Sequence, residues 1–149
     1  MKQRVFLFGT LKQGFPNHHR NRGRRIEGRY RTVEAYPLLL VGERHSPWLV
    51  DAPGEGLPVY GEVYELEDAA LADMDQLERV DQPDGYRRKA LLVVEERSGR
   101  EQSVQAYLKP VEQYLALPAG EIRSGPLSEY GPAQAASYRP RQSQAPSAF

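Results

Sequence analysis

A chain of 149 residues has room for one core and one site, and its twenty Lys or Arg against twenty Asp or Glu leave no net field to draw it to nucleic acid or an anionic membrane. It contains no cysteine, which excludes disulfides, thiolate metal centres and cysteine nucleophiles together. The charges are segregated: nine Lys or Arg against two Glu from Met1 to Glu34, and nine acids against Arg79 alone from Glu62 to Asp84.

Lys2 and Arg4 precede Val5-Phe6-Leu7-Phe8, a run too short for a signal-peptide core or a membrane span. A soluble cytoplasmic protein, with a monomer favoured, is the expectation. Val5 to Phe8 reads as a buried strand stopped by Gly9, and residues 15–25 as a surface loop with one helical turn near Asn17. Strands are predicted over 30–41, bent at Pro37, then over 48–50 and 59–66, with a loop at 51–56 between the last two. Asp68 is placed as the N-cap of a helix running to about Val80 and ended by Pro83 and Gly85. Ala90–Val94 and Val104–Leu108 form a hairpin around Ser98-Gly99. One domain over 1–131 is expected, followed by a weakly ordered tail over 132–149, whose Pro, Ala, Gln and Ser offer little apolar surface. The fold class is α+β, with a mostly antiparallel, strongly curved sheet.

One carboxylate disturbs the helix pattern. At 100° per residue, Ala70, Leu71, Met74 and Leu77 form an apolar stripe and Glu78 falls inside it, while Asp73 points away. A glutamate on a core-facing stripe needs a partner or a purpose. The helix C-terminus, burial, and acidic neighbours such as Asp75 and Asp81 should all raise its pKa toward the range of a general acid/base. The competing reading is a frayed last turn that lets Glu78 swing into water.

Gly9 after a buried strand frees the backbone for a tight turn and a close ligand approach. Gly9-Thr10-Leu11 could then present consecutive amides to an anion or a developing oxyanion. It is no phosphate loop, since Lys12 follows without the glycine pattern such loops require. His18-His19 has no partner motif for a metal. Arg20, Arg22, Arg24 and Arg25 lack the interleaved aromatics of a nucleic-acid surface. Tyr60, Tyr64 and Tyr107 stand as candidates to line a cavity.

The stretch Val5-Phe6-Leu7-Phe8-Gly9-Thr10-Leu11-Lys12-Gln13-Gly14 followed by Pro16-Asn17-His18 resembles the N-terminus of γ-glutamylamine cyclotransferases, within the wider γ-glutamylcyclotransferase-like (AIG2-like) group. Tyr36-Pro37-Leu38, Gly42-Glu43, Pro47-Trp48-Leu49, Gly61-Glu62-Val63-Tyr64, Met74-Asp75-Gln76-Leu77-Glu78 and Tyr86-Arg87 follow in the same order, covering residues 4–109. A fainter echo lies at Tyr130-Gly131-Pro132 and Tyr138-Arg139.

The resemblance implies a small mixed β-barrel with a few short helices. It implies a γ-glutamyl substrate held by Phe8, Gly9, Thr10 and Leu11, with Glu78 as the proton carrier. The implied reaction closes 5-oxoproline by attack of the substrate's own α-amine, so neither cofactor nor metal is required, and the partner is a small molecule rather than nucleic acid or membrane. Two departures stand out: Phe8 where the family usually has Tyr, and Arg79 where it commonly has Gly. The alternatives are a γ-glutamyl amino acid cyclotransferase and a non-catalytic module that binds a small ligand on the same fold.

Overall fold

The structure, a computed structural model, describes residues 2–140. Five strands close a barrel in the order β1-β5-β2-β6-β7: β1 (Lys2–Leu7), β2 (Arg24–Thr32), β5 (Tyr60–Glu67), β6 (Arg87–Glu95) and β7 (Glu101–Leu108). Four of the pairings are antiparallel, and the parallel β1–β7 pair, with Val5 opposite Gln105 and Phe6 opposite Ala106, closes the ring. The expected small mixed barrel with a few short helices is what the chain forms.

β3 (Leu38–Val41), β4 (Ser46–Leu49) and β8 (Ile122–Ser124) make a second, three-stranded sheet. The helices are α1 (Asp68–Leu77), α2 (Val111–Leu115) and α3 (Pro132–Ala135), with a single 3-10 turn at His18–Arg20.

Val5, Phe6, Leu7 and Phe8 are fully buried, because β1 is enclosed on both faces. They join Leu71 and Met74 of α1, Tyr86, Tyr107 and Tyr130 in one core. Gly61 on β5 lies under β1: a Cβ there would come within 2.5 Å of the Leu7 carbonyl and 2.7 Å of the Phe6 ring, so only glycine admits this approach.

The segregated charges are reconciled by strand pairing. β1 and β2 carry the basic segment onto β5, where Arg24 meets Glu65 at 2.8 Å, Arg4 meets Glu65 at 3.8 Å and Arg25 meets Glu62 at 3.5 Å. Arg22 pairs with Asp73 of α1. Three of the four arginines of the cluster, Arg22, Arg24 and Arg25, are therefore paired with carboxylates.

Three boundaries move. β2 begins at Arg24, inside the expected surface loop, because Arg24 and Arg25 pair with Glu65 and Tyr64. Pro37 separates two strands instead of bending one. Asp68 is the first helical residue and Glu67 the N-cap, and α1 stops at Leu77. Residues 132–140 carry α3 and return Tyr138 to the body, where it is buried and accepts a hydrogen bond from the Asn17 amide at 3.2 Å. Residues 141–149, the rest of the expected tail, lie outside the described residues.

Candidate active site

Glu78 is the C-cap of α1 and is 1 % exposed. The helix does not fray there. Its amide bonds the Met74 carbonyl at 2.9 Å, the Arg79 amide bonds Gln76 at 3.1 Å and the Val80 amide bonds Asp75 at 3.2 Å. The last two are the paired bonds of a Schellman ending, which calls for a left-handed residue directly after the cap. Arg79 takes that conformation, with φ +57. Glycine would adopt it without steric cost.

The turn behind Glu78 is clamped. The Tyr86 amide bonds the Glu78 carbonyl at 3.1 Å, and the Tyr86 hydroxyl donates to the Pro47 carbonyl at 2.7 Å. Gly85 sits so close to the Arg79 carbonyl that a Cβ would lie 1.7 Å from its oxygen. Lys109 Nζ donates to the Asp84 carbonyl at 2.7 Å, and Gln113 of α2 donates to the Pro83 and Gly85 carbonyls, both at 2.9 Å.

One turn back along α1, Asp75 faces a different set of partners. Arg88 of β6 binds it through Nε at 2.9 Å and through an Nη at 3.1 Å, and the Tyr107 hydroxyl of β7 donates to it at 2.5 Å. The charge of Asp75, expected to press on Glu78, is thus offset by a guanidinium. Burial, the Asp75 carboxylate and then the Glu78 charge push the Tyr107 hydroxyl above its ordinary value, so it stays a proton donor. Asp81 is exposed.

Phe8, Gly9, Thr10 and Leu11 follow β1 directly and are all buried. The turn is held by the Lys12 amide on the Gly9 carbonyl at 3.2 Å. Asn17 donates from its backbone to the Thr10 carbonyl and from its side chain to the Thr10 hydroxyl, both at 2.9 Å. Asn21 donates to the Leu11 carbonyl at 3.1 Å, and His18 Nδ1 lies 3.1 Å from the same oxygen. These bonds tie the loop to Asn17, His18 and Asn21.

The strand register brings the two halves to one end of the barrel. With Phe6 opposite Ala106 in the parallel pair, the next residues along, Leu7 and Tyr107, run side by side, and Phe8 begins the loop at that level. The Tyr107 hydroxyl bonds Asp75 at 2.5 Å, three residues before Glu78 on α1. The carboxylate on α1 and the loop after β1 therefore flank the same end of the β1–β7 seam.

Four cavities among the described residues are lined by neither Glu78 nor Phe8 to Leu11. The cavity beside this end is lined instead by Lys12. Tyr64 and Tyr107 are buried packing residues, with Tyr64 donating to Glu62 at 2.7 Å, and Tyr60 stacks under Arg29 at 3.8 Å. The described residues hold no group of three or more His, Cys, Asp or Glu able to bind a metal ion, and no helix long and apolar enough to cross a membrane.

The sequence model of the family described as gamma-glutamyl cyclotransferase, AIG2-like, matches residues 5–126. The chain belongs to that family. The gamma-glutamylaminecyclotransferase of Mus musculus is 43 % identical over 94 residues, which cover 60 % of this chain and 62 % of that protein. The human gamma-glutamylaminecyclotransferase is 42 % identical over 96 residues, covering 60 % of each. The chain thus spans about three fifths of the length of these curated relatives. The crystal structure of an AIG2-like protein from Mus musculus superposes with a TM-score of 0.71 at 32 % identity, over 96 % of this chain and 99 % of that one.

The wheel position of Glu78 announced a buried carboxylate, and it is buried. Sequence reasoning missed the pairing of Asp75 with Arg88 and Tyr107, and the burial of Lys12. A signal for the first lay in the apolar Ala106–Leu108 end of β7, which needed a partner for its one hydroxyl.

Proposed function

We propose that this chain is a γ-glutamylamine cyclotransferase that releases 5-oxoproline and a free amine, with Glu78 as its general acid/base. The observation that carries the reading is a carboxylate, 1 % exposed, held on the C-cap of a helix by backbone bonds, in a chain of this family.

The substrate supplies its own nucleophile. The free α-amine attacks the γ-carbonyl carbon, a ring C–N bond forms, and the bond to the leaving nitrogen breaks. Glu78 takes the proton shed by the α-amine and returns it to the leaving nitrogen, so the carboxylate ends as it began. Intramolecular attack already carries effective molarities on the order of 10⁵ M or more once the chain is folded toward closure. What remains for the protein is to fold the substrate, move one proton and hold charge on oxygen. The loop Phe8 to Leu11 binds the glutamyl part, its amides serving the α-carboxylate or the γ-oxyanion. Phe8 brings no hydroxyl, so this loop works through its backbone and shape. The reaction needs no cofactor, and the reading places it in the cytoplasm.

Glu78→Gln preserves volume and removes the proton carrier. Release of 5-oxoproline from γ-glutamyl-ε-lysine is expected to fall by about 10² to 10⁴, with an unchanged circular dichroism spectrum. Equal product from wild type and variant would sink the assignment. Ligand binding without product in the wild type would convert the reading to a binding module.

A further inference from the structure

The segment after β8 passes the end of the barrel where β5 begins, and it is pinned along its length. The Leu127 amide donates to the Leu38 carbonyl at 2.9 Å, the Tyr60 amide donates to Ser128 at 2.8 Å, and Arg29 pairs with Glu129 at 2.8 Å. Tyr130 follows, its carbonyl accepting from Lys12 Nζ at 2.6 Å and its ring centre 5.9 Å from that of Phe15. The next amide, that of Gly131, donates to Gln134 at 2.8 Å.

In this fixed setting one atom has no structural use. Tyr130 is fully buried, and its hydroxyl makes no hydrogen bond among the described residues. A hydroxyl cut off from water without a partner loses its hydration and gains nothing, so its partner is to be sought in a bound molecule. Burial, and then the neighbouring Tyr138 hydroxyl, push the Tyr130 hydroxyl above its ordinary value, so it stays protonated and offers a donor. Tyr138 accepts from the Asn17 side-chain amide at 3.2 Å, and the same nitrogen donates to the Thr10 hydroxyl at 2.9 Å. The orphan donor therefore borders the network that holds the first loop.

That loop is poor in side-chain donors. From Phe8 to Leu11 the one hydroxyl belongs to Thr10, which Asn17 already engages, so the charged end of a ligand there needs a donor from elsewhere. The Lys12 ammonium, bound to the carbonyl of Tyr130 itself, adds positive charge that favours an anion. A cavity of about 520 Å³ reaches Lys12 where β2 bulges, Glu27, Gly28 and Arg29 spanning the single residue Glu62 of β5, so a small molecule can approach this segment.

We propose that Tyr130 is a substrate-binding residue whose hydroxyl donates to the α-carboxylate of the glutamyl half seated on the loop after β1. The inference rests on the γ-glutamylamine reading above and adds to it a contact from outside the loop.

Tyr130→Phe keeps the ring and removes only the oxygen. In the free full chain its urea midpoint is expected to equal or exceed that of wild type, since the hydroxyl has no partner to lose, whereas a hydroxyl that served the fold would lower the midpoint when removed. In NMR titrations 5-oxoproline should bind the variant about tenfold more weakly than wild type, the weight of one charge-assisted contact. The lactam 2-pyrrolidone, which lacks the carboxylate, should bind both proteins alike. KM for γ-glutamyl-ε-lysine should rise by a factor similar to the loss for 5-oxoproline. A lowered midpoint, an unchanged 5-oxoproline affinity or KM, an equal loss for the two lactams, or no binding of 5-oxoproline to wild type overturns the proposal. No turnover by wild type would defeat the cyclotransferase reading while the titrations still decide the role of the hydroxyl.

Discussion

Two side chains of opposite charge are buried at one end of the barrel, Glu78 at 1 % and Lys12 at 3 % exposure, and they are held in different ways. Glu78 sits on a helix terminus whose backbone is locked by a Schellman pair and by the Tyr86 amide. Lys12 sits on an irregular loop, and its head has a carbonyl and a ring for company beside an open cavity. On the reading proposed above, the difference suits Glu78 to its task. A group that moves a proton must be fixed to a fraction of an ångström, which regular structure provides.

The contrast can be broken from the Glu78 side first. Gly85→Ala would drive a methyl group into the Arg79 carbonyl, and the expected cost is about 3 kcal/mol or more. Denaturant unfolding should show this loss, and activity should fall with it. Tyr107→Phe comes next. Removing a buried donor to a charged acceptor costs about 1.5 to 3 kcal/mol, readable as a lower urea midpoint.

Arg79→Gly acts in the opposite direction. It relieves a left-handed arginine and forfeits only a partly exposed pair with Asp84, so stability should rise by about 0.5 to 1 kcal/mol in the same assay. A loss instead would show that the Arg79 side chain matters more than its backbone.

The smallest effect lies on the surface of β2. Arg24 holds Glu65 below the usual carboxylate range, which adds stability above the unfolded value of 4.5 and surrenders it as pH falls through the lower folded value. Arg24→Gln should therefore lower the urea midpoint at about pH 6 and match wild type once the pH has fallen far enough to protonate Glu65 in both.

How much of this was legible beforehand depends on the range of the interaction. Helix periodicity put Glu78 on the core-facing stripe with Leu71 and Met74, and the family resemblance was what weighed against a frayed last turn. The strand over Val5–Phe8 followed from its unbroken apolar run, and that over Val59–Leu66 from β-branched and aromatic residues spaced between polar ones. The bulge in β2 did not, because Glu27-Gly28-Arg29 reads as a polar loop until β5 is laid beside it. Nor did the Asp75–Arg88–Tyr107 arrangement, which joins α1, β6 and β7 across a gap of 32 residues for its longest bond. Lys12 belongs with these: a lysine next to a glycine turn is ordinarily solvated, and only the return of Tyr130, 118 residues later, covers it.

The parallel seam between β1 and β7 also orders events during synthesis. Val5 has no partner on that side until Gln105 exists, and it is then joined across a hundred residues of chain. An emerging polypeptide can pair β1 with β5 early, yet β1 keeps one unsatisfied edge until the ribosome has delivered the final barrel strand. A nascent chain stalled just before β7 should thus present that edge to chaperones, and one stalled with Leu108 clear of the exit tunnel should not.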